Sequence, residues 1–150
     1  MGEPMYDAIL VPTDGSGGEQ QFVEEAISLA ELTDATVHVL HVVDSGLADS
    51  LSESTQSMVH DDLKTTGETA VSSIEGTAER AGLETRTAIV NGDPAEEIVN
   101  YAEENDIDAI VMGTHANTGV SHLLLGSVTE RVIRLTTVPV LAVNLTEHHG

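Results

Sequence analysis

Cysteine is absent from this 150-residue chain, and so is tryptophan. Without cysteine, no disulfide can form, no thiolate can bind a metal ion, and no cysteine nucleophile is available. Only Tyr6, Phe22 and Tyr101 are aromatic, so the core has to be built from aliphatic side chains. Hydrophobic residues still make up 40% of the chain, which is enough for a sizeable core. We therefore expect a single globular domain over residues 1–150.

Basic residues are scarce. The chain has 5 Lys plus Arg against 26 Asp plus Glu, a formal net charge of −21, and Lys64 is its only lysine. This balance argues against nucleic-acid binding through a basic patch, and an anionic membrane surface would repel the protein. We interpret the dispersed acidic residues as adaptation to a salt-rich cytoplasm, where the screening length falls to about 3 Å at 1 M salt. The alternative interpretation is a merely acidic mesophilic protein.

Long hydrophobic runs are missing as well. No apolar segment approaches the length needed to span a membrane. The N-terminal stretch MGEPMYDAILVP has no basic region, so it predicts a first β-strand and not a signal peptide. The expected location is the cytoplasm.

Apolar patterning predicts five strands that alternate with four helices. Short apolar or β-branched runs predict strands, and apolar residues at helical spacing predict helices. The predicted strands are Tyr6–Pro12, Thr36–Val43, Glu84–Val90, Asp108–Gly113 and Val138–Val143. The predicted helices are Glu19–Leu32, Glu53–Ala81, a helix that starts within Gly92–Glu96 and runs to Asn105, and Ser127–Leu135. This alternation predicts a parallel sheet with helices on both faces.

Local signals mark several helix ends. Asp93 is placed to cap the third helix, Pro94 suits its first turn, and Glu96 completes a pair that resembles a capping box. Gly82 is placed to end the second helix. Gly67 and Gly76 weaken the prediction of that helix, at about 1 kcal/mol each.

The stretch from Met112 to Ser127 is typical of a phosphate site. A strand leads into Gly113, and Gly126 precedes a helix whose first amides would point outward unpaired and favour an anion. A tight strand-to-helix connection is the alternative interpretation. The first strand is also followed by a glycine-containing turn. If the first and fourth strands are neighbours, both turns face one crevice at the carboxyl ends of the strands.

Four segments together resemble the universal stress protein family. They are Ile9–Ser16 (ILVPTDGS), Leu40–Asp44 (LHVVD), Asn91–Ile98 (NGDPAEEI) and the C-terminal part Asp108–Val143. The resemblance covers nearly everything from Met5 to Val143, in the family's order. It implies an α/β fold with an open five-stranded parallel sheet of order 3-2-1-4-5, of the adenine-nucleotide alpha-hydrolase-like type. It also implies a homodimer formed through the last strand, Val138–Val143.

In the family's ATP-binding branch, a glycine is followed by two residues, a second glycine, nine residues and then Gly-Ser or Gly-Thr. Gly113, Gly126 and Ser127 match that motif, and the resemblance implies that they contact phosphate. It implies that Asp14 lies near the ribose and any bound Mg²⁺ or Mn²⁺, and that Val42 or Val43 lies near the adenine. The implied cofactor is ATP or another adenine nucleotide. The full predicted site is Pro12, Thr13, Asp14, Val42, Val43, Met112, Gly113, His115, Ala116, Gly126, Ser127, Val128 and Thr129.

Individual residues leave alternatives open. Ala116 stands where the motif has its middle glycine, and a left-handed backbone there would cost roughly 1–2 kcal/mol. Asp14 could instead stabilise its turn, and Ser127 could act only as a helix cap. His115 is a candidate phosphate contact by its place in the loop, whereas His38 and His41 on a strand are expected to pack.

Three functions therefore remain as hypotheses. The leading one is a stress-response regulator that binds an adenine nucleotide at the carboxyl ends of strands 1 and 4. The second, motivated by Ala116, is a nucleotide-independent dimeric interaction protein of the same fold. Its apolar edge strand would pair with a second copy, with a ladder limited by Pro139. The third is a slow ATPase or phosphotransferase, for which the spacing shows no water-positioning base and only Arg131 and Arg134 as nearby cations.

Overall fold

A computed structural model describes residues 6–13, 20–44, 53–114 and 127–144. The strands are β1 (Ala8–Thr13), β2 (Thr36–Asp44), β3 (Thr85–Gly92), β4 (Ala109–Thr114) and β5 (Val140–Asn144). The helices are α1 (Gln20–Thr33), α2 (Glu53–Arg80), α3 (Pro94–Glu104) and α4 (Ser127–Leu135). Each of the nine predicted elements is confirmed, in the predicted order.

The five strands form one parallel sheet of order β3-β2-β1-β4-β5, as predicted. The chain moves outward from β1 to β3 on one side and then returns to the other side of β1 for β4. The carboxyl ends of β1 and β4 therefore flank the point where the strand order reverses, which is where ligands bind in open α/β sheets.

The central strand β1 pairs with β2 on one side and with β4 on the other. Its register with β2 runs through six pairs, from Ala8↔Thr36 to Thr13↔His41. Its register with β4, within the described ranges, consists of Ile9↔Ala109 and Leu10↔Ile110. β1 stays paired with β2 to its last residue.

Alternating side chains divide the core into two layers. One layer joins the sheet to α1 and α2, and it includes Ile9, Val11, Phe22, Val37, Val39, Ile74 and Val111. The other joins the sheet to α3 and α4, and it includes Leu10, Leu40, Ile98, Ile110, Met112 and Val132. Both layers are dominated by aliphatic side chains, as the composition predicts.

At least one end of every strand differs from the prediction by one or two residues. β1 continues through Thr13 because that residue pairs with His41. β3 continues past its predicted end at Val90 to Gly92, because β2 extends far enough for Asp44 to pair with Gly92. β5 begins only at Val140, and Pro139 precedes it. Because Pro139 lies outside β5, its missing donor does not interrupt that strand, and its carbonyl accepts from the Ile110 amide at 2.9 Å.

The helix-end signals at Asp93, Pro94 and Gly82 are confirmed. Asp93 is the N-cap of α3, its carboxylate accepts from the Glu96 amide at 3.1 Å, and Pro94 is the first helical residue. Gly82 follows the end of α2 with a φ of +85°, a backbone conformation that favours glycine. The helix α2 runs without a break through Gly67 and Gly76.

Asp108 connects the amino ends of β1 and β4, a contact that sequence patterns did not indicate. Its Oδ2 atom accepts from the backbone amides of Asp7 at 2.8 Å and Ala8 at 3.1 Å. This carboxylate therefore holds the amino ends of the two central strands together. None of the helices in the described ranges is long and apolar enough to cross a membrane.

Candidate functional site

The candidate site lies at the carboxyl ends of β1 and β4. Thr13 ends β1 as a buried residue, and Met112 is buried just before Gly113 in β4. The helix α4 begins at Ser127, and the Thr129 hydroxyl in its first turn donates to the carbonyl of Gly113 at 3.3 Å. This contact ties the amino-terminal turn of α4 to the end of β4.

The predicted site residues divide between the two faces of the sheet. Met112 belongs to the core layer under α3 and α4, and Val42 and Val128 pack against that layer as partly buried residues. By strand alternation, Pro12 shares this face with Leu10. Val43 is 1% exposed and, by the same alternation, faces α1 and α2. Val42 and Val43 therefore lie on opposite faces of the sheet, with Val42 on the face that α3 and α4 cover.

Four predicted residues lie outside the described residues, namely Asp14, His115, Ala116 and Gly126. Ser127 is described as the first residue of α4. The contacts of these five residues with ribose, phosphate or metal stay predictions.

Gly113 occupies ordinary extended strand backbone. Among the described glycines, a positive φ occurs at Gly82 and Gly92. The backbone of β4 therefore does not require a glycine at position 113. The remaining physical reason for a glycine there is the close approach of another group to the backbone.

His41 adds a contact that the spacing did not reveal. Its side chain is buried, and its Nδ1–H donates to the carbonyl oxygen of Thr13 at 2.8 Å. On its other side, the ring contacts Gly67 of α2 so closely that a Cβ at position 67 would lie 2.6 Å from the His41 Nε2 atom. The expectation that His41 packs is confirmed, but its hydrogen bond reaches the last residue of β1 beside the crevice.

His38 packs away from the strand ends, which also confirms its prediction. Its Nδ1 atom shares a 2.8 Å hydrogen bond with the hydroxyl of Tyr101 on α3, and the two rings meet edge-on with centroids 5.6 Å apart. Burial, and secondarily the positive charge of Arg86, lower the pKa of His38 below its ordinary value of 6.5. This histidine joins β2 to α3.

The two arginines of α4 are both paired with carboxylates. Arg131 contacts Asp93 at 2.9 Å and Glu96 at 3.8 Å, which links α4 to the start of α3. The hydrogen bond from Arg131 lowers the pKa of Asp93. Arg134 contacts Glu130 at 3.5 Å within α4. In the described ranges no cluster of three or more His, Asp or Glu side chains is arranged to hold a metal ion.

Comparison with known proteins decides the family. The sequence model of the universal stress protein family matches residues 5–144. The chain belongs to the universal stress protein family. Universal stress protein MJ0531 of Methanocaldococcus jannaschii is 40% identical over 143 residues, which cover 95% of this chain and 84% of that protein. Universal stress protein YxiE of Bacillus subtilis is 30% identical over 147 residues, covering 93% of this chain and 99% of that protein.

Solved structures of the family share the fold. The structure of MJ0577 has a TM-score of 0.82 at 34% identity and covers 96% of this chain and 99% of its own. UspA from Lactobacillus plantarum has a TM-score of 0.77 at 27% identity, covering 92% of this chain and 97% of its own. Two more distant universal stress proteins, at 22% and 23% identity and TM-scores of 0.65, are complexes with cAMP and dAMP. This universal stress protein thus has the adenine-nucleotide alpha-hydrolase-like fold.

Proposed function

We propose that this universal stress protein binds an adenine nucleotide, ATP or AMP, as a regulatory ligand at the carboxyl ends of β1 and β4. One observation carries the proposal. β1 and β4 are neighbours at the point where the strand order reverses, and Thr129 holds the first turn of α4 against Gly113 at the carboxyl end of β4. A phosphate between these elements would meet unpaired helix amides and a favourable helix dipole.

The predicted residues take complementary roles around such a ligand. Val42 offers a half-buried apolar surface for the adenine, on the face that α4 covers. Gly113, Gly126 and Ser127 are proposed to contact the phosphates, with Gly113 permitting their close approach to the backbone. Asp14 is proposed to contact the ribose and an accompanying Mg²⁺ or Mn²⁺. The complexes of distant relatives with cAMP and dAMP support the proposal, because they place adenine nucleotides on this fold.

The charge of the chain sets the conditions for binding. A net charge of −21 opposes the approach of a polyphosphate, and a divalent cation would reduce that repulsion. Molar salt also screens it, with a screening length of about 3 Å at 1 M. We therefore expect ATP to bind with Mg²⁺ or Mn²⁺ and in high salt.

Calorimetric titration in molar KCl tests the proposal. We expect heat of binding for ATP with Mg²⁺, and a loss of affinity of about tenfold in Gly113→Ala, because a methyl group would hold the phosphate away from the backbone. Gly76→Ala, a substitution in α2, is the matched control and should bind like the wild type. Melting curves check that each variant folds. Absence of both heat and a thermal shift at millimolar nucleotide would refute the proposal.

A binding role is favoured over catalysis. Arg131 and Arg134, the cations of α4, are both engaged by carboxylates in the structure. A slow ATPase would need a group that orients water, and the sequence patterns identify none. Turnover above background that disappears in Asp14→Ala would overturn this part of the proposal.

The edge strand β5 supports a second candidate, a dimeric interaction protein that needs no nucleotide. In the described sheet β5 pairs with β4, and its Leu141 is 44% exposed. An apolar edge strand is suited to pair with a second copy of the same strand through a two-fold axis. Native mass spectrometry of protein purified without added nucleotide separates the candidates, because a dimer that retains adenine nucleotide would argue against this second one.

A further inference from the structure

The contacts of His41 connect three elements at one point. Its register partner across the sheet is Thr13, the last residue of β1, and both side chains are buried at 5% exposure. The Nδ1–H of His41 donates to the Thr13 carbonyl at 2.8 Å. The opposite edge of the ring lies against the backbone of α2 at Gly67, where a Cβ atom would have no room.

We propose that His41 is a positioning residue for the nucleotide site, holding the end of β1 in the orientation that binding requires. This inference rests on the proposed function. The carbonyl of Thr13 belongs to the peptide unit through which the chain leaves β1, and a peptide unit is planar. Fixing that carbonyl therefore fixes the orientation of the peptide bond that leads to Asp14, the predicted ribose ligand.

The ring is itself held in place. Rotating it would break a buried hydrogen bond and leave the donor without water as a substitute. Moving it away from Thr13 is opposed by the backbone of α2 at Gly67. The position of α2 is therefore transmitted to the end of β1 through one imidazole ring.

Two substitutions of His41 separate positioning from packing, one that keeps the donor and one that keeps the size. In His41→Asn, the side-chain amide is attached to Cγ as Nδ1 is in histidine, so a donor toward Thr13 is kept. In His41→Leu, size and shape are similar but the donor is lost. We expect nucleotide affinity within about threefold of wild type for His41→Asn, and a loss of about tenfold or more for His41→Leu. Equal losses in both variants, or wild-type affinity in His41→Leu, would overturn the proposal.

A second measurement does not depend on nucleotide. Hydrogen exchange of the peptide that covers residues 12–19 should be faster in His41→Leu than in His41→Asn, with similar melting temperatures. If the wild type bound no nucleotide, the proposed function would fail, and the exchange rates would still decide whether His41 holds the end of β1. Equal exchange in the two variants would overturn that role.

Discussion

Replacing Gly67 by alanine sets two opposite effects against each other within α2. Glycine in a helix interior is less favourable than alanine by about 1 kcal/mol, so helix propensity alone predicts stabilisation. Gly67, however, faces the buried ring of His41, and a new Cβ would lie 2.6 Å from its Nε2 atom. The neighbour is a rigid ring that donates to Thr13 on its other side, so it cannot move without cost.

The size of the effect follows from these terms. Overpacking a buried contact costs about 1–3 kcal/mol, and weakening the His41 hydrogen bond adds about 1 kcal/mol. Subtracting the propensity gain of about 1 kcal/mol leaves a destabilisation of about 1–3 kcal/mol for Gly67→Ala. In a domain of this size, each kcal/mol lowers the melting temperature by about 2–4 °C.

Gly76→Ala is the matched control in the same helix. A Cβ at position 76 would have its nearest neighbour at 3.4 Å, the Nη1 atom of Arg80, which is the end of a flexible side chain. Only the propensity term then remains, and we expect a stabilisation of about 1 kcal/mol. Denaturant unfolding of both variants in molar KCl measures the difference. If Gly67→Ala were stabilised as much as Gly76→Ala, the proposed contact between α2 and His41 would be refuted.

Four further predictions concern pH, salt, assembly and the phosphate loop. Because the pKa of His38 is lowered by burial, the folded state binds a proton less readily than the unfolded state. The free energy of unfolding should therefore fall as the pH drops below 6.5, and the fall should be shallower in His38→Gln. Thermal melts in a KCl series should show the melting temperature rising steeply from low to molar salt, because the net charge of −21 is unscreened at low salt. A melting temperature that does not change with salt would contradict salt adaptation. Light scattering should find a dimer in molar salt that Leu141→Asp converts to a monomer, and a wild-type monomer at micromolar concentration would argue against pairing through β5. Ala116→Gly should tighten ATP binding by up to about tenfold if residue 116 needs a positive φ; unchanged or weaker binding in paired titrations would show that the alanine does not limit the site.

Much of the fold could be predicted from the sequence because its determinants are local. The apolar run that ends at Pro12 and the β-branched run Thr36–Val43 predict buried strands wherever they lie in the fold. Asp93 and Pro94 cap α3 through contacts within one helical turn. The order of the sheet was available only from the family resemblance, since alternation alone does not specify which strands become neighbours.

Sequence patterns indicate where in the sheet the candidate site lies, but not how its residues are arranged. Glycines after two strands point to a crevice once those strands are neighbours, and β1 and β4 are neighbours. The sequence does not show which face of the sheet Val42 or Val43 occupies, because this depends on which helices cover each face. The bounds of β3 required knowing how far β2 extends, because pairing with Asp44 keeps Gly92 in the strand.

By itself, the sequence determined the alternation of elements, the aliphatic core, the helix caps and the acidic surface, all of which depend on composition or on residues within a few positions of each other. Only the tertiary structure decided the roles of His41, Gly67 and Asp108. Gly67 is unfavourable in the helix considered alone, and it is required by a ring 26 positions earlier in the chain. Asp108 holds the start of β1 from about 100 positions away. Such contacts depend on which elements pack together, and no local pattern encodes that information.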